Sequence, residues 1–260
     1  MYGMVKVLIV ISMIKLPTLA VHYQCYAQPK AVIHALRYFR KLYPNSYVRM
    51  VSNNGIDLSH IATYFGCDYV HSNIATSVQS TYCLDGEMLK VYVGRLYQTA
   101  LRAKEDYIMI LSEDIRFFKP IKKFGYDLNG GRGYWKRPIF RLFNRPFNLM
   151  RAGGDGIVFR RQFILDHFST ASEAIDILEP KMRELFKQNP TPFPSDGCLN
   201  MLVLHYGGTI GPYNGYTDPT RWDYPVFKFF GWLRVLHGYT EMYNKELTDY
   251  ERSIVQGTHL

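Results

Sequence analysis

The sequence has few cysteines, and none of them stands at metal-binding spacing. Its 260 residues contain no CxxC motif and no Cys/His cluster, and the four cysteines are Cys25, Cys67, Cys83 and Cys198. This distribution argues against a zinc site and gives no disulfide framework. Because unpaired cysteines are typical of reducing compartments, we predict a cytoplasmic protein.

Long apolar runs are also missing. The run from Val5 to Ile14 ends at Lys15 and is shorter than the roughly 20 residues that cross a bilayer as a helix. We therefore predict no transmembrane segment and leave peripheral membrane contact open. Thr18-Leu19-Ala20 is similar to a signal-peptidase site. A weak secretion signal is thus the alternative to our preferred interpretation, a buried strand or a short hydrophobic extension.

Acidic residues are fewer than basic ones, 22 against 31, so the formal net charge is +9. This excess favours better solubility or a basic cleft for a diphosphate over nucleic-acid binding. No acid stands between Asp127 and Asp155, although that segment carries Arg132, Lys136, Arg137, Arg141, Arg145 and Arg151. The segment is either a solvated basic face, or a substrate loop, a lid or a surface for phosphate or lipid headgroups.

What the sequence does contain is an alternation of strands and helices. Hydrophobic residues make up 47% and charged residues 20% of the chain, as in packed proteins. Apolar runs predict strands at 18–23, 47–51, 67–70 and 107–111, and helical spacing predicts helices at 30–42, 58–65 and 86–104. This order predicts an α/β fold with a mostly parallel central sheet flanked by helices, in one domain over residues 1–260.

Polar clusters follow three of the predicted strands, at His22 to Tyr26, Ser52 to Gly55 and Ser112 to Arg116. Ligands of such sheets bind at the carboxyl ends of the strands, so we expect the three clusters to meet. In the third cluster Glu113 and Asp114 directly follow the most apolar strand, where unpaired charge is costly. Carboxylates there suit Mg²⁺ or Mn²⁺ bound together with substrate phosphates. A surface turn with both acids facing water is the alternative.

The segment Leu111-Ser112-Glu113-Asp114-Ile115 resembles the DxD or EDD motif that follows a strand in GT-A glycosyltransferases. The resemblance implies the GT-A fold, with Asp114 as a metal ligand and Glu113 as the middle acid. Ser112 stands where the family has its first acid. Ribose binding at that position is therefore expected to be weaker or made differently.

The late segment from Val235 to Tyr243 resembles the histidine motif of the same family. The resemblance implies His237 as a second metal ligand close to Asp114. Thr240 stands where the family commonly has a lysine at the diphosphate. The corresponding cation is expected from one of three residues, Arg234, Lys245 or Arg95. A structural histidine among aromatic residues is the alternative for His237.

The resemblance extends over roughly residues 18–243 and divides the chain into a nucleotide-sugar-binding half, about 18–125, and an acceptor-binding half, about 126–260. Residues implied to bind the nucleotide-sugar are His22, Tyr23, Gln24, Tyr26, Asn53, Asn54, Arg95, Glu113, Asp114, Gly153 and Gly154. Residues implied to be catalytic are Asp196 and Asp155. Asp196 as a helix N-cap, and an ordinary loop at Gly153 and Gly154, are the alternatives.

The activity implied is transfer of a hexosyl or N-acetylhexosaminyl group from a nucleotide-sugar, with a UDP-sugar favoured, to a glycan or glycoprotein hydroxyl. Mn²⁺ or Mg²⁺ would be the cofactor. In an inverting reaction Asp196 or Asp155 would deprotonate the acceptor. In a retaining reaction, which the motifs favour slightly, the same two acids would position the acceptor.

The whole pattern is also similar to small glycosyltransferases of large DNA viruses, which would place the protein in the cytoplasm of an infected cell. Two other functions stay open. A sugar-phosphate nucleotidyltransferase shares the α/β core and the metal, but usually has a glycine-rich basic loop after its first strand. A non-enzymatic protein would bind nucleic acid or acidic glycan through the basic stretch 132–151, with strong salt dependence.

Overall fold

The computed structural model describes residues 16–76, 85–130, 156–186, 195–217 and 224–258. The apolar run 5–14 and the basic stretch 132–151 lie outside these residues. None of the described helices is long and apolar enough to cross a membrane.

The first half follows the predicted alternation. Its elements are β1 (Leu19–Cys25), α1 (Pro29–Leu42), β2 (Val48–Asn53), α2 (Ser59–Tyr64), β3 (Asp68–Ser72), α3 (Gly86–Arg102) and β4 (Tyr107–Leu111). Pro29 begins α1, where its missing N–H and fixed φ fit the first helical turn. Asp85 caps α3 by accepting a 2.9 Å hydrogen bond from the Met88 amide. These elements confirm the predicted strands and helices to within about two residues at most ends.

The second half has shorter strands. Its strands are β5 (Arg116–Phe117), β6 (Leu128–Gly130), β7 (Val158–Arg160), β8 (Ile210–Pro212), β9 (Tyr216–Thr217) and β10 (Val235–Leu236). Its helices are α4 (Arg161–His167), α5 (Ala171–Phe186), α6 (Ser195–His205), α7 (Tyr224–Phe229) and α8 (Asp249–Gln256), with a 3₁₀ turn at Phe168–Thr170 between α4 and α5.

Among the described residues, seven strands form the main sheet in the order β3-β2-β1-β4-β7-β6-β8. The pairs among β1 to β4, and the pair of β6 with β8, are parallel, whereas β7 is antiparallel to both its neighbours. This arrangement confirms the predicted mostly parallel sheet. The antiparallel β7 was not predicted.

Both faces of the sheet are covered, because successive side chains on a strand point to opposite faces. On β4, Ile108 and Ile110 pack against helices α3 to α6, whereas Met109 and Leu111 pack on the side of α1 and α8. All four side chains are at most 2% exposed. Burial on both faces explains why this strand is continuously apolar.

A second, small sheet joins the middle of the chain to its C-terminal part. Its described strands have the order β5-β10-β9, with β10 antiparallel to β5 and parallel to β9. β5 begins two residues after Asp114, and β10 ends one residue before His237. The small sheet therefore determines how closely these two residues approach.

Candidate functional site

The three polar clusters lie at one edge of the main sheet, as expected. Cys25 of β1 is paired with Ser52 of β2, and Tyr23 of β1 with Leu111 of β4. The carboxyl ends of β1, β2 and β4 are thus neighbours, and the loops that follow them contact each other. The Ile56 amide, for example, donates a 3.0 Å hydrogen bond to the Tyr26 carbonyl.

Asp114 and His237 meet at this edge. Asp114 Oδ2 lies 3.4 Å from His237 Nε2, and the two side chains are 13% and 19% exposed. The Ser112 hydroxyl donates a hydrogen bond to the other carboxylate oxygen, Asp114 Oδ1. One carboxylate therefore lies between a hydroxyl and an imidazole in a partly buried position. Asp114 and His237 are therefore as close to each other as the resemblance to GT-A glycosyltransferases implies.

The small sheet holds this pair through backbone bonds. Leu236 is paired with Arg116, so the chain continues to His237 directly beside the acidic turn. The His237 amide donates to the Thr217 carbonyl over 3.0 Å, and the Tyr239 amide donates to the Asp114 carbonyl over 2.8 Å. The separation of Asp114 and His237 is thus fixed by the backbone on both sides.

The donor atoms here fit a divalent cation. In an octahedral site with ligands at about 2.1 Å, neighbouring ligand atoms stand about 3 Å apart. The carboxylate and imidazole atoms, at 3.4 Å, are within a small adjustment of that separation. The described residues contain no cluster of three or more His, Cys, Asp and Glu side chains that would form a complete protein cage.

Glu113 faces away from this pair. Its Oε1 accepts hydrogen bonds from the backbone amides of Tyr26, at 2.8 Å, and Gln28, at 3.3 Å. Burial raises the pKa of Glu113, although the bonds from these two amides oppose the rise. The carboxylate therefore holds the loop between β1 and α1 against the acidic turn. It does so at the N-terminus of α1, where negative charge is favourable.

A second contact holds the same loop from the C-terminal side. Gln28 Nε2 donates to Asn244 Oδ1 over 3.3 Å, and the Asn244 amide donates to Gln28 Oε1 over 3.0 Å. Asn244 has a φ of +54°, a left-handed conformation that asparagine tolerates better than most residues. The loop after β1 is therefore bound both to the acidic turn and to the segment after His237.

A cluster of hydrogen-bonded side chains lies next to the carboxyl end of β1. We call it the β1 polar cluster. Its members are His22, Gln24, Asn53, Thr76, Arg95 and Thr99. The Thr99 hydroxyl donates to the Arg95 carbonyl over 3.0 Å, so it accepts from His22 Nδ1 at 2.8 Å. This assigns the proton to Nδ1 and leaves Nε2 to accept from the Gln24 amide at 3.3 Å.

His22 is neutral in this cluster. Its side chain is fully buried, and burial, with the nearby charges of Arg95 and Arg49, lowers the pKa of His22 to about 3. Tyr23 is also fully buried, and burial raises its pKa well above the ordinary value. Neither side chain is exposed at the sheet edge, so their predicted contacts with a nucleotide remain predictions.

Arg95 binds the segment that follows β3. Its guanidinium donates to Asn53 Oδ1 at 2.8 Å, Ser72 Oγ at 2.6 Å and the Ile74 carbonyl at 2.8 Å. Asn53 is 5% exposed and also accepts from the Thr76 amide at 2.9 Å. The sequence did not indicate these partners. Only the spacing of Arg95 and Thr99, one turn apart on α3, was available to suggest a shared face.

The predicted nucleotide-binding residues that do reach the surface are few. Tyr26 is 53% exposed, Asn54 is exposed with a φ of +59°, and Gln24 is partly exposed. Of the three predicted diphosphate cations, Arg95 is in the polar cluster and Arg234 donates to the Pro120 carbonyl. Lys245 is exposed on the segment after His237. The predicted roles of all these residues remain predictions.

Arg116 packs among aromatic side chains next to the Asp114–His237 pair. Its guanidinium carbon lies 4.8 Å from the ring centroids of Tyr38 and Tyr239 and 5.0 Å from that of Phe118. The same guanidinium donates to the hydroxyls of Tyr239, at 2.7 Å, and Tyr38, at 3.1 Å. Because the Tyr239 amide binds the acidic turn, Arg116 links α1, β5 and the histidine segment. Sequence reasoning missed this residue.

The predicted acceptor side is described only in part. Asp196 is the second residue of α6, so the alternative that it is the N-cap of this helix is wrong; its side chain lies outside the described set. Gly153, Gly154 and Asp155 lie outside the described residues. Gly156, directly after them, has a φ of +90°, and a Cβ there would come within 2.7 Å of the Tyr216 ring. Glycine is therefore required at that position.

Comparison with known proteins shows what the fold is similar to. No protein-family model and no curated protein matches the chain. The solved structure of galactosyltransferase LgtC with donor and acceptor sugar analogues aligns with a TM-score of 0.54 and 9% identity, over 92% of this chain and 94% of that chain. An active-site mutant of LgtC aligns with a TM-score of 0.53 and 10% identity, over 92% of this chain and 95% of that one.

Mouse xyloside xylosyltransferase 1 also aligns, with a TM-score of 0.48 and 10% identity over 85% of this chain and 98% of that chain. The conclusion about the fold rests on the two LgtC structures. The chain has the fold of GT-A glycosyltransferases, which confirms the predicted fold class.

Proposed function

We propose that the protein is a cation-dependent glycosyltransferase that moves a sugar from a nucleotide-sugar to a hydroxyl of a glycan or glycoprotein. The observation that carries the proposal is the 3.4 Å approach of Asp114 Oδ2 to His237 Nε2 at the carboxyl end of β4. In an α/β sheet this edge is where ligands bind. A UDP-sugar is the favoured donor, and a hexosyl or N-acetylhexosaminyl group is the favoured cargo.

Asp114, His237 and the Ser112 hydroxyl would hold the cation. Mn²⁺ fits this set better than Mg²⁺, because an imidazole nitrogen suits transition metals more than Mg²⁺. When bound, the cation supplies Lewis-acid stabilisation of the charge on the departing diphosphate. Ser112 contributes a neutral oxygen where a DxD motif has a carboxylate. The site therefore carries one negative charge fewer toward an anionic donor.

The chain's own residues have three further tasks in this proposal. The loop from Tyr26 to Gln28, held by Glu113 and Asn244, would present Tyr26 to the base and ribose, and Gln24 would contact them from the end of β1. Asn54 would contact the nucleoside from the end of β2. Lys245, exposed after His237, would contribute positive charge near the diphosphate. Fixing these groups before the donor binds would lower the entropic cost of orienting it.

The acceptor would bind on the side of α6. Asp196, near the start of that helix, or Asp155 would accept the proton of the acceptor hydroxyl in an inverting reaction. In a retaining reaction either acid would orient the acceptor against the departing sugar.

One observation favours this proposal over a sugar-phosphate nucleotidyltransferase. The backbone amides of Tyr26 and Gln28, after the first strand, donate to the Glu113 carboxylate. These are the donors that a phosphate loop after β1 would direct at a nucleotide. Because the partly buried Glu113 carboxylate already occupies this position, a phosphate there would meet a negative charge.

A nucleotide-release assay tests the proposal. Wild-type protein with Mn²⁺ is incubated with a panel of UDP- and GDP-sugars, and free nucleotide is measured with and without a glycan acceptor. We expect nucleotide release from at least one UDP-sugar. The rate of release should be at least about a hundredfold lower in Asp114→Ala, because electrostatic stabilisation of the leaving group is removed.

Asp176→Ala is the matched control, because its carboxylate is 59% exposed on α5 and pairs with Lys90. This variant should retain wild-type release. Full activity in Asp114→Ala would contradict the metal assignment. A thermal-shift measurement tests the non-enzymatic alternative. If nucleic acid raises the melting temperature, and no nucleotide does so with or without Mn²⁺, the protein would be a basic nucleic-acid-binding protein instead.

A further inference from the structure

Three aromatic side chains are exposed together at the C-terminal end of α7. Phe229, Phe230 and Trp232 are 84%, 57% and 57% exposed. The ring centroids of Phe229 and Phe230 are 5.1 Å apart, and those of Phe230 and Trp232 are 5.0 Å apart in a stacked arrangement. We call these three residues the aromatic patch. Single exposed apolar residues are common on proteins, but a contiguous group of large rings usually marks an interaction surface.

Hydrogen bonds hold the backbone that carries the aromatic patch. Gly231 has a φ of +63°, which suits glycine, and its amide donates to the Lys228 carbonyl over 3.3 Å. Lys119 Nζ donates to the Gly231 carbonyl over 2.6 Å. Leu233, 6% exposed, anchors the following residues against Leu236 and Tyr239. The rings are therefore displayed on a turn that is held from both sides.

The surroundings of the aromatic patch are basic. The sequence has no acid between Asp114 and Asp127 and none between Asp223 and Glu241. These two segments meet in the β5–β10 pair. Besides Arg116, the cations of the two segments are Lys119, Lys122, Lys123, Lys228 and Arg234. Of these, all four lysines are exposed.

We propose that the aromatic patch and its lysines bind the surface of an anionic lipid bilayer. Aromatic rings partition into the boundary between headgroups and acyl chains, and lysines beside them are attracted to anionic headgroups. A second copy of the chain fits less well, because a symmetric contact through this surface would place lysines against lysines. An uncharged glycan would use the rings but would have no need of the surrounding cations.

Vesicle co-sedimentation tests this proposal without any donor or acceptor, so its failure would leave the proposed transferase activity unaffected. Wild-type protein is mixed with vesicles of phosphatidylcholine alone, or of phosphatidylcholine with phosphatidylglycerol. We expect binding to the anionic vesicles to be at least about tenfold stronger than to the neutral ones, and to weaken as salt is raised.

The combined variant Phe229→Ser, Phe230→Ser and Trp232→Ser should lose at least about tenfold in binding to the anionic vesicles, because the inserting apolar area is removed. Lys122→Glu with Lys123→Glu should weaken binding to anionic vesicles only. Ile177→Ser is the matched control, since Ile177 is a 68% exposed apolar residue on α5, outside the aromatic patch. If the triple variant does not fold, Phe229→Ser alone provides the comparison.

Three results would overturn the proposal. The first is equal binding of wild type and the folded aromatic variant to anionic vesicles. The second is no sedimentation of wild type with either vesicle. The third is a dimer in sedimentation velocity that the aromatic substitutions convert to a monomer, which would assign the aromatic patch to contact with a second copy.

Discussion

The β1 polar cluster and the Asp114–His237 pair lie at the same edge of the sheet, yet their polar groups are arranged differently. In the polar cluster, His22, Asn53 and Arg95 are hydrogen-bonded to side chains or carbonyls of the protein. At the other location, a carboxylate faces an imidazole at 3.4 Å, with both side chains partly exposed. The first arrangement is that of a structural network, whereas the second is the one that we propose as a cation site.

The difference separates stability from activity. Buried groups that bond each other stabilise the fold, and removing one leaves its partners unsatisfied. Groups prepared for an external ligand gain their best partners only when it binds. Substitutions in the polar cluster should therefore lower the free energy of unfolding, and substitutions in the pair should lower activity at nearly unchanged stability.

The largest effect is expected from His237→Ala. Loss of the imidazole should lower kcat/KM for the nucleotide-sugar by about 10²–10³-fold, equivalent to roughly 3–4 kcal/mol of transition-state stabilisation. The free energy of unfolding should change by less than about 1 kcal/mol, because the side chain is partly exposed. Steady-state kinetics and urea denaturation measure the two quantities. A variant that unfolds readily but keeps its activity would reverse the comparison.

Arg95→Ala should show the opposite pattern. Its guanidinium bonds Asn53, Ser72 and the Ile74 carbonyl, and we expect a loss of about 2–4 kcal/mol in the free energy of unfolding. Arg95→Lys should recover only part of this loss in unfolding free energy, because one ammonium group cannot make the several hydrogen bonds of the planar guanidinium. Urea denaturation measures both. If Arg95→Lys had wild-type stability but greatly reduced activity, Arg95 would be a diphosphate ligand, as the sequence suggested.

Glu113→Ala should affect both quantities moderately. Removing the acceptor for the Tyr26 and Gln28 amides should cost about 1–3 kcal/mol of unfolding free energy, and the freed loop should raise the KM for the donor more than it lowers kcat. Glu113→Gln, which keeps one acceptor oxygen, should lie between. A large fall in kcat at unchanged KM would indicate that Glu113 contacts the reacting groups.

The effect of His22 titration on stability is the smallest at neutral pH and grows as the pH is lowered. The pKa of His22 is about 3 in the folded protein, so below the ordinary value of 6.5 the unfolded chain binds a proton that the folded chain does not. Between pH 6.5 and about 3, this difference should lower stability by up to about 1.4 kcal/mol per pH unit. His22→Asn, whose amide can still donate to Thr99, should flatten the profile measured by denaturation. Parallel wild-type and variant profiles would show that His22 does not titrate differently on folding.

Much of the main sheet was predictable because its strands are long enough to show a pattern. The apolar run of β4 and the helical spacing of Val32, Leu36 and Phe39 on α1 predicted both elements. The strands β5, β9 and β10 have two residues each and no sequence signal of their own. They exist because distant segments pair with each other, which local pattern does not report.

The site was predictable in part. The pairing of Asp114 with His237 came from family resemblance, since 122 intervening residues carry no distance information. The opposite directions of Glu113 and Asp114 were not predictable in this way, because both residues lie in the turn after β4, where the side-chain alternation of a strand no longer applies. The partners of Arg95 come from β2, β3 and the segment after β3, so only the folded chain identifies them.

Titration of Mn²⁺ in the presence of UDP tests the central claim most directly. Isothermal calorimetry on wild type should give one Mn²⁺ per chain, and Asp114→Asn and His237→Ala should each weaken this binding at least about tenfold. Asp176→Asn should bind as wild type does. Equal Mn²⁺ affinity in wild type, Asp114→Asn and His237→Ala would contradict the assignment of these two residues as the cation site.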